Sequence, residues 1–122
     1  MNRRTVLVVD NESFTTDLVK TILTKGGFNV FSANSGSEAI EAVRERKPSV
    51  ILMDLGLPGM DGFEITRRLL EDDDQSELKI IAFSASAADE DRIHALEVGC
   101  IDYIAKPIGA RALIDKVRFH LG

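Results

Sequence analysis

This sequence predicts a doubly wound α/β fold, a five-stranded parallel sheet with helices on both faces, from three observations. Short apolar runs alternate with longer amphipathic stretches five times without interruption. The apolar runs are nearly continuous rather than alternating, as expected of strands covered on both sides. Each amphipathic stretch is long enough to form a right-handed crossover that returns the chain to a parallel neighbour. Helix number and length suit the flavodoxin-like strand order 2-1-3-4-5.

Each element has its own signal. Thr5 to Asp10 (TVLVVD) is β-branched and almost wholly apolar, so it reads as a covered strand. Phe14, Leu18, Ile22 and Leu23 then recur at helical spacing until Gly26-Gly27 supplies a stop. A short strand follows around Phe28 to Ser32. Ser35 with Glu38 three residues on matches a capping box, and Ala39, Ile40 and Val43 carry that helix to the stretch before Pro48. Val50 to Asp54 is the third strand, and Asp61 to about Asp73, with Phe63, Ile65, Leu69 and Leu70, is the third helix. Leu78 to Phe83 (LKIIAF) is the fourth strand, followed by a helix from Ala88 to Val98 that Gly99 stops. Ile101 to Ala105 is the fifth strand. Ala110 to Leu121 is the last helix, with Leu113, Ile114, Val117 and Leu121 on one face. No linker, low-complexity tract or internal repeat intervenes, so residues 1–122 read as one domain.

Composition narrows the function classes. Hydrophobic residues at 44% and charged ones at 29% are ordinary for a globular chain, and no apolar run approaches the roughly 20 residues of a membrane span. Met1 to Arg4 lead straight into a strand with nothing like a signal peptide, so a cytoplasmic location is expected. Cys100 is alone and cannot form an internal disulfide. With only His94 and His120 beside it, a Cys/His metal site lacks ligands, and a small buried hydrophobe is the expected role. A net charge of -5 opposes nonspecific nucleic-acid binding, which needs a basic patch to displace counterions. A role at DNA would belong to a partner. The acidic run Glu71 to Asp74, Arg67 with Arg68, and Arg44 to Lys47 read as solvated faces.

The strand ends carry the chemistry. In this order strands 1 and 3 are neighbours at the topological switch point, so ligands are expected at the carboxyl ends of strands 1, 3, 4 and 5. Those ends are Asp10-Asn11-Glu12, Asp54, Ser84 and Lys106-Pro107. Asp10 and Asp54 side by side are unfavourable unless a cation or proton compensates. Mg2+ suits them, because it takes oxygen ligands and keeps several waters; the Gly56 carbonyl and phosphate oxygens are candidates for the remaining positions. Ser84 offers a hydroxyl and Lys106 a compact positive charge, both suited to phosphate oxygens. A carboxylate in such a setting can attack phosphorus, so Asp54 reads as a nucleophile that becomes an aspartyl phosphate.

These residues resemble the receiver domain of bacterial two-component response regulators, over nearly all of the chain. The features carrying the resemblance are Asp10 with Asn11, Asp54 ahead of Pro58-Gly59-Met60-Asp61-Gly62, Ser84 thirty residues after Asp54, and Lys106-Pro107 with the lysine twenty-two further on. The resemblance implies a phosphoacceptor switch served by a histidine kinase or phosphotransfer protein, acting on a downstream output domain or target protein. It also implies phosphate binding by Ser84, Ala85 and Lys106, and a cis Lys106-Pro107 peptide. Enzymatic activity would be limited to self-phosphorylation from small phosphodonors and slow self-dephosphorylation. In the family the lifetime of the phosphate depends on the positions held here by Gly56 and Ser86, both small. One departure is Asn11, where the family normally places a second acid; weaker Mg2+ binding is expected unless Glu12 compensates. The alternative reading of Asn11 is a helix N-cap.

For the readout, the resemblance makes Ser84 the sensor and Tyr103 the ring that turns inward, altering the surface of helix 4, strand 5 and helix 5. Asp102 resembles the acid of regulators that form homodimers through that surface, with Lys116 or Arg118 as partners. Two other function classes compete. One is a receiver-like interaction module that works without phosphate, for which Asn11 is the argument. The other is a Mg2+-dependent aspartyl phosphatase, opposed by Gly56 where such enzymes carry a second acid.

Overall fold

Five parallel strands form one sheet in the order β2-β1-β3-β4-β5 in the computed structural model, which describes residues 4–56, 61–72, 78–85 and 88–121. They are β1 (Thr5–Val9), β2 (Asn29–Ala33), β3 (Val50–Met53), β4 (Lys79–Ser84) and β5 (Asp102–Ala105). The helices are α1 (Ser13–Lys25), α2 (Gly36–Arg46), α3 (Gly62–Glu71), α4 (Asp89–Val98) and α5 (Ala110–Leu121). All residues of β1 and β3 are buried, which explains why their apolar runs do not alternate.

Side chains leave a strand on alternate faces, so these runs build two core layers. Val6, Val8, Val50, Leu52, Ile81, Phe83 and Ile104 pack against Val19 and Leu23 of α1 and Leu113 and Val117 of α5. On the other face Leu7, Val9, Ile51, Met53, Ile80 and Ala82 meet Ala39 of α2, Ile65 and Leu69 of α3 and Ala95 of α4. Cys100 lies in this second layer, and burial pushes its thiol up to about 11. Among the described residues no helix is long and apolar enough to cross a membrane.

The boundaries differ from expectation by a residue or so. Asp10 and Asp54 lie one residue beyond their strands, while Ser84 belongs to β4. The fourth strand starts at Lys79 rather than Leu78, and the fifth at Asp102 rather than Ile101. Helix α3 ends at Glu71 with Asp72 as its C-cap. The expected end at Asp73, the remainder of the acidic run through Asp74, the Pro58-Gly59-Met60 turn and Ser86 lie outside the described residues. At α2 the Ser35 hydroxyl accepts the Glu38 N–H at 3.2 Å, as a capping box requires. The Glu38 carboxylate, however, reaches back to the Asn34 N–H at 2.9 Å, one residue earlier than the standard box.

Two glycines are placed by necessity. Gly99 ends α4 in a left-handed conformation (φ +117°), and Leu70 packs where a side chain would begin, 2.4 Å from the position of a Cβ. Gly62 starts α3 pressed against the backbone after β3: a Cβ there would lie 2.5 Å from the Leu55 Cα and 2.7 Å from the Asp54 carbonyl oxygen. Helix α4 is the least anchored helix. Ala95 is its one buried residue, whereas Ile93 and Leu96 are exposed.

Candidate functional site

Backbone hydrogen bonds carry the sheet one step past its strands and set the site. Pairing of β1 with β3 places Val9 beside Met53, so the next residues, Asp10 and Asp54, emerge side by side. The Asp54 N–H donates to the Val9 carbonyl at 2.9 Å, and the Asp10 N–H to that of Ala33 at 3.0 Å. Across the sheet the Lys106 N–H donates to the Ser84 carbonyl at 2.8 Å, aligning the ends of β4 and β5. Asp10, Asp54 and Ser84 are all buried, Asp10 to 1% exposure.

The two carboxylates are held alike. Asp10 Oδ1 accepts the Glu12 N–H at 3.0 Å, and Asp54 Oδ1 accepts the Gly56 N–H at 2.9 Å. Their Oδ2 atoms share one cation. Lys106 Nζ donates to Asp10 Oδ2 at 2.6 Å and lies 3.6 Å from Asp54 Oδ2. The lysine thus sits closer to the strand-1 acid than to the expected nucleophile. The ammonium also lies 5.0 Å from the centroid of the Phe83 ring. Burial pushes the Asp54 carboxyl above its ordinary range, and the Asp10 charge adds to this. The Gly56 N–H and Lys106 oppose the shift without cancelling it.

The remaining candidates are placed as follows. Asn11 is exposed and, with Asp10, lines a polar cavity of about 180 Å³ between the N-terminal ends of α1 and α2. It is not the cap of α1; that position is Glu12, whose side chain makes no cap bond. The Glu12 carboxylate instead accepts from the Thr15 hydroxyl, so it does not supply the missing acid. Gly56 meets Asp54 through its N–H. Ala85 is an exposed bend after β4. Tyr103 is half-buried on β5, opposite Ala82, and packs against the second core layer. The Lys106–Pro107 peptide is cis, as the resemblance implies.

Among the described residues no three His, Cys, Asp or Glu side chains cluster closely enough to hold a metal ion. The donors available are the Asp10 and Asp54 carboxylates, with the Asn11 amide lining a cavity next to Asp10. All are hard oxygens that fit Mg2+ with its retained waters. Removing one acid lowers the attraction for a dication, so Asn11→Asp is expected to tighten Mg2+ binding roughly tenfold. Isothermal titration calorimetry would read the change, and equal affinities in the two proteins would contradict it.

The profile of the response regulator receiver domain matches residues 6–118. The chain belongs to this family. Solved receivers superpose closely on it. The CheY-like receiver domain protein of Methanospirillum hungatei aligns with a TM-score of 0.89 at 27% identity, covering 97% of this chain and 93% of that one. The beryllofluoride-activated N-terminal receiver domain of Klebsiella pneumoniae RstA aligns at 0.88 and 29%, covering 96% and 97%. NtrX of Brucella abortus aligns at 0.89 and 29%, covering 96% of this receiver but 26% of the longer chain. Receivers act as phosphoacceptors in two-component signalling and generally bind Mg2+ at the phosphorylation site.

At the opposite edge of the sheet this receiver has a cluster that the sequence showed only in part. Asp102 Oδ2 meets His120 Nε2 at 2.8 Å and Lys116 Nζ at 3.1 Å, and its Oδ1 accepts the Tyr103 N–H at 2.8 Å. Lys79 Nζ donates to the His120 carbonyl, binding the end of α5 to β4 as well. Lys116 therefore pairs with Asp102 within the chain. Arg118 donates to the Gly26 carbonyl at 3.1 Å instead. Partial burial alone would raise the Asp102 carboxyl, but His120, the Tyr103 N–H and Lys116 together hold it below the ordinary value of 3.8. A depressed folded-state value contributes stability above the unfolded value and loses it as pH falls through the folded one. Asp102→Asn is expected to cost about 1 kcal/mol at neutral pH in urea melts, with the difference fading in strong acid.

Proposed function

We propose that this receiver is a phosphoacceptor switch in which Asp54 takes a phosphoryl group from a histidine kinase or phosphotransfer protein. The observation that carries this reading is the Asp10–Lys106–Asp54 arrangement, two buried acids sharing one ammonium. Asp54 Oδ1 is tied to the Gly56 N–H, which leaves Oδ2 as the attacking atom. An Oδ2–P bond forms as the P–N bond of the phosphoimidazole breaks, its electron pair staying on the imidazole nitrogen. Lys106 Nζ, already beside Oδ2, follows the charge onto the phosphoryl oxygens. Ser84 and the segment at Ala85, at the end of the neighbouring strand, bind another of those oxygens. Asp10, Asp54, the Asn11 amide oxygen and the Gly56 carbonyl would hold Mg2+, which would supply charge neutralisation.

The phosphoryl oxygens draw Ser84 inward, Tyr103 turns toward the space it leaves, and the α4–β5–α5 surface changes. That surface then engages an output domain, a target protein or a second copy of the chain. Exposed Ile93 and Leu96 on α4 supply apolar area for such contacts. Residues 1–122 act as a single domain in the cytoplasm, with no direct contact to nucleic acid or membrane.

The test is incubation with acetyl phosphate and Mg2+ followed by intact mass spectrometry. Wild type is expected to gain one phosphoryl group and Asp54→Ala none. A chain that gains none would instead be a phosphate-independent interaction module, the reading for which Asn11 is the argument.

A further inference from the structure

We propose that the ring stack between Phe63 and His94 couples the Asp54 site to helix α4, making both positioning residues for the conformational response. The inference rests on the phosphoacceptor reading and adds a route separate from Ser84 and Tyr103. The two rings lie face to face, with centroids 3.9 Å apart and planes inclined by 15°. This contact joins the first turn of α3 to the middle of α4.

Each step from Asp54 to that stack is a direct contact. The Gly56 N–H donates to Asp54 Oδ1. Converting the carboxylate to an acyl phosphate changes the charge and lone pairs this N–H meets, so the backbone from Asp54 to Gly56 must readjust. Gly62 rests on the same backbone, with its Cα hydrogens facing the Leu55 Cα and the Asp54 carbonyl oxygen. The Gly62 N–H also points to the Leu55 carbonyl at 3.4 Å. A shift of Leu55 therefore pushes the start of α3, because close-packed backbone has no slack to absorb it. Phe63 is the next residue, fixed by the Asp61 side chain, which accepts its N–H at 2.9 Å.

Helix α4 can follow such a push. Ala95 is its one buried side chain, and Ile93 and Leu96 are exposed. Its C-terminal end is pinned by Leu70 packed over Gly99. The helix is thus fastened at its end, and in the middle it is held by the small Ala95 side chain and the aromatic pair, so movement at Phe63 becomes a tilt about Gly99. His94 is exposed, so its ring contact with Phe63 lies at the surface.

The experiment uses beryllofluoride with Mg2+ as the phosphoryl mimic and follows backbone amides by NMR in wild type, Phe63→Leu, His94→Gln, the double variant and His94→Tyr. In wild type the amides of Gly56 and of α4 are expected to shift. In either single variant Gly56 still shifts, while the α4 response falls roughly twofold or more. The double variant loses no more than the singles, as two halves of one contact should. His94→Tyr, which restores a stacking plane, recovers the response. An α4 response unchanged in His94→Gln, losses that add in the double variant, or no recovery with His94→Tyr would overturn the coupling while leaving the phosphoacceptor reading intact. No shift at Gly56 in wild type would overturn both.

Discussion

Lys106→Met is expected to lower stability by about 3 kcal/mol at neutral pH without divalent cations, because it leaves two buried carboxylates facing each other with no counter-charge. For a domain of this size that is a fall of about 10 °C in melting temperature. Asp10 is 1% exposed with the lysine in place. The pH dependence has a definite sign. Burial already holds the Asp54 carboxyl above its ordinary range, with Lys106 opposing the shift, so losing the lysine raises it further. A raised folded-state value contributes stability below the unfolded value and loses it as pH rises through the folded one. The deficit of the variant should therefore be small in acid and largest near neutrality. Mg2+ should restore part of it, since a dication can take the place of the ammonium between the acids. Thermal melts across pH, with and without Mg2+, would read all of this. A deficit independent of pH would mean that lost packing of the lysine stem, not charge, sets the cost.

Gly62→Ala should destabilise by roughly 2 kcal/mol, with two effects opposed. Alanine is the better helix former by about 1 kcal/mol. Its methyl, however, would sit 2.5 Å from the Leu55 Cα and 2.7 Å from the Asp54 carbonyl oxygen, which are backbone atoms with no rotamer to escape into. Overpacking of this kind costs about 1–3 kcal/mol and occasionally more, so the clash prevails. The backbone that must move is that of Asp54, the proposed phosphoacceptor, so phosphorylation by acetyl phosphate should slow together with the loss of stability. Urea denaturation and the phosphorylation rate would be measured on the same protein. Unchanged values for both would show that the β3–α3 connection has room to spare.

The sheet was readable because burial of β1 and β3 on both faces leaves continuous apolar runs, the crossovers made it parallel, and helix number and length suited the order found. The convergence of Asp10, Asp54, Ser84 and Lys106 on one edge followed from topology alone. What strand ends could not reveal is which of two adjacent acids a long lysine prefers, since that depends on where two backbone N–H groups anchor the other oxygens. The partners of Asp102 were half legible. Lys116 and His120 are four apart and share a face of α5, whereas Arg118 lies between them in sequence and points elsewhere. Helical phase was a signal that could have identified His120. The close approach of Gly62 left no mark beyond the glycine itself, because the clash is with backbone brought near only by the fold.

The strand order has a consequence for how the site comes into being. In β2-β1-β3-β4-β5 the first strand to be synthesised ends up inside the sheet, and the neighbour that completes it on one side appears only with residues 50–53. A nascent chain that has emerged through α2 carries Asp10 without the opposing acid, and Val6 and Val8 lack Val50 and Leu52 beside them. Lys106 arrives later still. Any N-terminal fragment that ends before Lys106 therefore lacks the cation of this site. Such truncated translation products should be unable to take up a phosphoryl group.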